Sequence, residues 1–201
     1  MRMLPSAALD TLAQLADALA AALAARPRRT LDRGDRIPAA VLVPLLAVDG
    51  DLHLLYTRRA ASLPHHQGQV AFPGGAIDPG DADPVAAALR EAQEEIGLDP
   101  ARVRVLGALD DIETVRTRFV ITPVVGFVPQ PPPWRPSPGE VDAIFTVAVH
   151  RLEAPTTARR EVWDFGEARL PVDLYAVDGH VIWGATHRIT ARLLALLRAL
   201  R

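Results

Sequence analysis

Three carboxylates crowd the end of one predicted helix in the stretch GQVAFPGGAIDPGDADPVAAALREAQEEIGL, residues 68 to 98: Glu91, Glu94 and Glu95. Like charges spaced i, i+4 cost a helix roughly 0.2–0.5 kcal/mol, and anions toward a helix C-terminus oppose the macrodipole. The cluster is cheaper if a cation sits on it. Clustered oxygen donors suit a hard divalent ion such as Mg²⁺, which keeps part of its water shell and is commonly shared between protein carboxylates and substrate phosphates. Arg90, next to the cluster, can hold one carboxylate through a forked guanidinium pair. Upstream, Gly74 and Gly75 follow Phe72-Pro73, and adjacent glycines let backbone approach a ligand with no Cβ in the way. Taken singly, EAQEE reads as a solvated acidic face and the Gly-Gly pair as an ordinary turn. Their combination is what points to phosphate chemistry.

These groups need a helix and a loop to position them. Asp83 can cap a helix, and Pro84 suits its first turn. The helix is predicted over 84–96 and stops at Gly97. At about 100° per residue, Val85, Leu89, Ala92 and Ile96 fall in one narrow arc that should face a sheet, and the three glutamates fall on the opposite side. Residues 73–84 read as a Pro-Gly loop. Before it, 38–48 and 51–59 read as strands joined at Asp49-Gly50, because Asp-Gly between apolar runs favours a hairpin. Further strands are predicted at 102–109, 119–128 and 141–149, with a Pro-rich loop at 129–140. GHVIWGA reads as a short strand leading into a helix at about 186–200. A first helix over roughly 7–25, with Ser6 as a possible cap and Leu9, Leu12, Leu15, Leu19 and Leu23 at near-helical spacing, serves packing or a homodimer contact. Intermixed strands and helices without a repeat give an α/β (α+β) class, with a mixed sheet between helices and a single domain over 1–201, residues 1–30 forming a helical extension.

Composition narrows the chemistry. The chain has 201 residues, of which 49% are hydrophobic, and a formal charge of −2. No global field therefore attracts nucleic acid or an anionic membrane, and no basic stripe with interleaved aromatics appears. There is no cysteine, which excludes thiolate ligands and nucleophiles and fits a reducing compartment. There is no lysine either, so any phosphate clamp is a guanidinium fork. Asp10, Gln14 and Asp17 interrupt the apolar N-terminus, and no apolar run of about 18 residues occurs. A cytoplasmic location is expected.

The whole string from Gly75 through Asp81 and Arg90-Glu91 to Glu94-Glu95 and Gly97 resembles the signature of the Nudix hydrolases. That resemblance implies an α/β/α sandwich, a loop–helix–loop holding Mg²⁺ or Mn²⁺ at Glu91, Glu94 and Glu95, and cleavage of nucleoside diphosphates linked to another group. Two departures stand out: Asp81 replaces the usual Glu, and one extra residue separates it from Arg90. The coenzyme A diphosphatases share that extra residue. Their second signature is resembled by LYTRRAASLPHHQGQVAFPGG through Leu55, Thr57, Arg59, Ala60, Gly68, Phe72, Pro73, Gly74 and Gly75, with Tyr56 in place of a Leu and Pro64 where a basic residue is common. EVDAIFTVAV and IWGATHRITARLL extend the likeness over most of the chain.

The resemblance implies hydrolysis of a coenzyme A-class substrate to 4'-phosphopantetheine and adenosine 3',5'-bisphosphate. Arg59, His66, Gly74 and Gly75 are the expected substrate contacts. Adjacent strand residues point to opposite faces, so one of Arg58 and Arg59 should reach the site, and the motif favours Arg59. Glu140 is the expected general base from a loop, with Glu113 as a second candidate. ADP-ribose, NADH or a dinucleoside polyphosphate is the alternative substrate. A non-catalytic nucleotide sensor on the same fold would usually have lost a helix carboxylate, and all three are present.

Overall fold

The computed structural model describes residues 6–62, 67–114, 117–166 and 168–201. Asp49 and Gly50 both take positive φ, 49° and 89°, as the tight hairpin turn requires. They join β1 (Ile37–Val48) to β2 (Asp51–Arg59) in antiparallel register. The two strands pair only beside the turn and then diverge. Into the split runs a segment in which β3 (Val70–Ala71) pairs with the end of β2 remote from the turn and β4 (Gly74–Ala76) pairs with the end of β1 remote from the turn. The predicted loop at 73–84 therefore begins as a strand: Gly74 and Gly75 have no side chains to advertise it, and the pairing exists only because β1 offers an open edge.

The first helix, α1 (Ser6–Ala25), precedes the sheet, and α2 (Pro84–Ile96) follows β4. Then come β5 (Arg104–Ala108), β6 (Ile112–Glu113), β7 (Phe119–Val128) and β8 (Val141–Ala148). β7 lies parallel to β1, β5 and β6 pair with β7, and β8 pairs with the outer edge of β2, so the sheet is mixed. A short α3 (Val149–Leu152) leads to a separate antiparallel sheet of β9 (Ala158–Asp164), β10 (Arg169–Val177) and β11 (His180–Trp183), and α4 (Gly184–Ala199) ends the chain. Apart from β11, this second sheet was not predicted, because ARREVWD carries four charges among seven residues and its exposed strand lacks the apolar alternation that marks a buried one.

The period-2 alternation of β1 sorts two cores. Ala40, Leu42 and Leu46 pack against Ala88, Ala92 and Ile96 of α2. Val43, Leu45 and Ala47 face the other way, into a larger cluster with Leu19 of α1 and Leu193 and Leu197 of α4. The main sheet thus lies between helices, as expected. Leu12, Ala16, Leu19 and Leu23 of α1 are buried within the chain itself. No helix among the described residues is long and apolar enough to cross a membrane.

Candidate active site

Asp83 caps α2 by accepting from the Ala86 N–H at 2.8 Å, Pro84 opens the helix, and Gly97 ends it at φ 69°. The buried face is rotated from the predicted arc. Ala87, Ala88 and Ala92 are fully covered, and Glu95, expected opposite the core, is only 8% exposed. The reason is local: small alanines bring the helix close to the sheet where the glycines of β4 sit, and that approach encloses Glu95.

Both glycines are required by space. A Cβ on Gly74 would lie 2.4 Å from the Ala40 carbonyl oxygen. One on Gly75 would lie 2.6 Å from Glu91 Oε1. The Gly74 N–H donates to Glu95 Oε2 at 3.3 Å. A single backbone step of β4 therefore touches two helix carboxylates.

Arg90 organises the exposed side of the cluster. Its Nε and Nη2 donate to the two oxygens of Asp81, each at 3.0 Å, and Nη1 donates to Glu91 Oε1 at 2.9 Å and Glu94 Oε2 at 3.1 Å. Nη2 also reaches the Ala76 carbonyl at 3.3 Å. The Asp81 carboxyl is held below its ordinary range by the hydrogen bonds from Arg90, with the Asp78 N–H second. The shorter acid therefore still forms a two-pronged pair. Sequence reasoning placed Arg90 beside the carboxylates but did not identify Asp81 as its anchor; an acid nine residues ahead of a lone arginine was the available signal.

Burial pushes the Glu95 carboxyl up to about 7, against the lowering effect of the Gly74 N–H. Glu91 and Glu140 raise it further and Arg59 lowers it, so all three lie within electrostatic reach. Burial also raises Glu91, despite Arg90. Glu140 stands at the end of the Pro-rich loop, whose backbone closes over the helix terminus: Arg135 N–H donates to the Ile96 carbonyl at 3.0 Å and Ser137 N–H to the Glu95 carbonyl at 2.9 Å. These donors satisfy carbonyls that a helix end leaves unpaired. Composition revealed this segment as a loop but gave no sign of the role.

The donor set suits a hard cation. Glu91 and Glu95 offer oxygens at the glycine step, and among the described residues the buried Glu95 accepts from a neutral donor alone. Among the described residues no three acidic or imidazole groups converge on one point in this arrangement, because Glu94 leans on Arg90. Its side chain is 58% exposed, and Arg90 is held independently of it by Asp81, Glu91 and the Ala76 carbonyl.

Of the residues expected from sequence, Glu91, Glu95, Arg90, Gly74, Gly75, Arg59 and Glu140 gather here, and Glu94 sits at the rim. Glu113 is tied instead to Arg36 Nη2 at 2.9 Å. His66 and Pro64 lie outside the described residues. Tyr56 is fully buried, stacked 4.8 Å from Phe72 and 5.6 Å from Phe145, so its difference from the resembled signature is a matter of packing.

A family model of the NUDIX domain matches residues 36–168. The chain is 41% identical over 169 residues to a Salmonella typhimurium protein named Uncharacterized Nudix hydrolase NudL, covering 84% of this chain and 86% of the relative; the Salmonella typhi protein of the same name matches to the same extent. Among solved structures, a NUDIX hydrolase from Alicyclobacillus acidocaldarius superposes with TM-score 0.56 at 23% identity, over 83% of this chain and 93% of that one. A MutT/nudix family protein from Enterococcus faecalis superposes with TM-score 0.54 at 14% identity, over 99% and 75%.

Proposed function

This chain belongs to the Nudix hydrolase family, and from that premise we propose that it hydrolyses the diphosphate of coenzyme A or its derivatives, releasing 4'-phosphopantetheine and adenosine 3',5'-bisphosphate. The observation that carries the reading is the Gly74–Gly75 step lying against Glu91 and Glu95, on the sheet face that also holds Arg59. The substrate class rests on the motif through Leu55, Thr57, Arg59, Ala60, Gly68 and Phe72.

Glu91, Glu94 and Glu95 would hold Mg²⁺ or Mn²⁺, which when bound neutralises diphosphate oxygens and lowers the pKa of coordinated water. Asp81 fixes Arg90, and Arg90 fixes Glu91 against Gly75. The bare backbone of Gly75 lets the Glu91 carboxylate sit directly against β4, and that of Gly74 lets β4 lie close on β1. Arg59 supplies a permanent positive charge where negative charge builds up as water attacks phosphorus and the bridging P–O bond breaks. Glu140, exposed and near Glu95, takes the proton from the attacking water.

The test is mass analysis of products after incubating the protein and Mg²⁺ or Mn²⁺ with coenzyme A, 3'-dephospho-coenzyme A, ADP-ribose, NADH and a dinucleoside polyphosphate. The expected result is adenosine 3',5'-bisphosphate with 4'-phosphopantetheine, and coenzyme A preferred over its dephospho form. Faster cleavage of ADP-ribose, NADH or the dinucleoside polyphosphate would replace the substrate assignment and keep the chemistry.

A further inference from the structure

The split between β1 and β2 has two faces, and the carboxylates occupy only one. On the opposite face lies a cavity of about 330 Å³ whose walls include Arg58, Gly68, Trp163, His180 and Trp183. It is built from two sheets. Arg58 comes from β2, and its strand partner Val70 also lines the cavity; the aromatic residues come from the separate sheet β9–β11. The Trp163 and Trp183 rings lie 5.1 Å apart and tilted by 60°, so together they make a corner rather than a filled stack. The His180 ring is fixed flat against Phe145 at 3.6 Å. Arg58 makes no ion pair among the described residues, whereas other arginines, such as Arg90, Arg151 and Arg160, are each held by a carboxylate.

This combination has a specific chemical complement. Indole faces take a planar heterocycle by stacking. A guanidinium beside them, without an ion pair among the described residues, takes a phosphate through two parallel hydrogen bonds. The cavity also joins the reaction site through the chain. The Arg59 carbonyl accepts from Gly68 N–H at 3.1 Å and the Arg59 N–H donates to the Gln69 carbonyl at 3.0 Å, so the segment lining the cavity is bonded to the arginine that faces Glu95. A substrate that reaches both sites passes the Arg58–Arg59 end of β2, with its diphosphate on one face of the sheet and its nucleoside on the other.

We propose that this cavity is the subsite for the adenosine 3'-phosphate end of the substrate, with the base on Trp163 or Trp183 and the phosphomonoester on Arg58. Both adjacent arginines then serve the same ligand, one on each face of the sheet. The proposal deepens the coenzyme A reading and rests on it for the identity of the ligand.

Binding of adenosine 3',5'-bisphosphate is measured by calorimetry and tryptophan fluorescence without metal, which separates the subsite from catalysis. The wild-type protein is expected to bind it with quenching and at least tenfold more tightly than adenosine 5'-monophosphate. Arg58→Gln is expected to abolish that tenfold preference, and Trp163→Leu to weaken both ligands. Unchanged affinity in Arg58→Gln and Trp163→Leu, or binding of 4'-phosphopantetheine in place of the adenosine ligand with sensitivity to Trp163→Leu, overturns the proposal. Circular dichroism and thermal unfolding of Trp163→Leu and Arg58→Gln, expected to match the wild type, separate loss of the subsite from loss of the fold. If the product analysis identifies a different diphosphate but the bisphosphate still binds here with Arg58 dependence, the subsite stands and the coenzyme A reading fails; bisphosphate release from coenzyme A without such binding has the reverse meaning.

Discussion

Glu91 stands where residue 75 would carry a Cβ: its Oε1 lies 2.6 Å from that position, so the absence of a side chain at Gly75 is what seats the carboxylate. The adjacent Gly74 is constrained differently, by the Ala40 carbonyl oxygen at 2.4 Å. One glycine serves the site and the other the sheet.

Alanine substitutions should separate those roles. In Gly75→Ala the displaced atoms end a flexible side chain, so the fold adapts and Glu91 moves, with kcat/KM falling by on the order of 10²-fold and Tm nearly unchanged. In Gly74→Ala the obstacle is backbone, and the loss should be several kcal/mol, in the range of about 4 kcal/mol that marks a severe core disruption. Thermal unfolding and steady-state kinetics on both variants check this, and equal Tm losses would contradict it.

Glu95 sets a pH dependence. Its folded-state pKa of about 7 lies above the ordinary 4.5, so without metal its contribution to stability is fully present below about pH 4.5 and lost as pH rises through 7. By linkage the change is on the order of 3 kcal/mol. Glu95→Gln should lack this component in metal-free thermal denaturation. Mg²⁺ or Mn²⁺ requires the ionised carboxylate, so metal stabilisation of the wild type should grow from pH 5.5 to 7.5 and chelation should remove it; a metal effect independent of pH would speak against Glu95 as a ligand. The same variant should lose metal-dependent hydrolysis while remaining folded.

Arg90→Lys keeps the charge but cannot hold both Asp81 oxygens and two glutamates at once. Residues that orient metal ligands typically contribute 10–100-fold, and a fall of that size in kcat/KM is expected, with a raised metal requirement. Wild-type metal dependence in Arg90→Lys would show that the fork is not needed.

Tyr56 and Thr190 share a buried hydroxyl–hydroxyl hydrogen bond of 3.1 Å between β2 and α4. Tyr56→Phe leaves the Thr190 hydroxyl without that partner and should cost about 1–3 kcal/mol. Adding Thr190→Val should recover part of the loss. Denaturant unfolding of both single variants and the double variant closes the cycle, and strict additivity would argue that the bond contributes nothing.

What the sequence determined by itself is the local grammar. Asp49-Gly50 states a hairpin, and Asp83-Pro84 and Gly97 state the two ends of α2, because turn and cap rules act over a few residues; the order of Gly75, Arg90, Glu91, Glu94 and Glu95 carries the resemblance to the Nudix signature, from which a metal and phosphate site is expected. Asp178-Gly179, with Asp178 at φ 50°, joins β10 to β11 by the same kind of turn as Asp49-Gly50, yet neither that turn nor the charged β9 was read from the sequence. The tertiary structure alone decided that Glu95 faces inward, that the Pro-rich loop covers the end of α2, and that β3 and β4 fill a split in the sheet. Those outcomes depend on which surfaces meet across long separations: a helix of alanines can approach a glycine strand closely enough to bury a carboxylate, and no periodicity within thirteen residues of α2 records what stands on the other side.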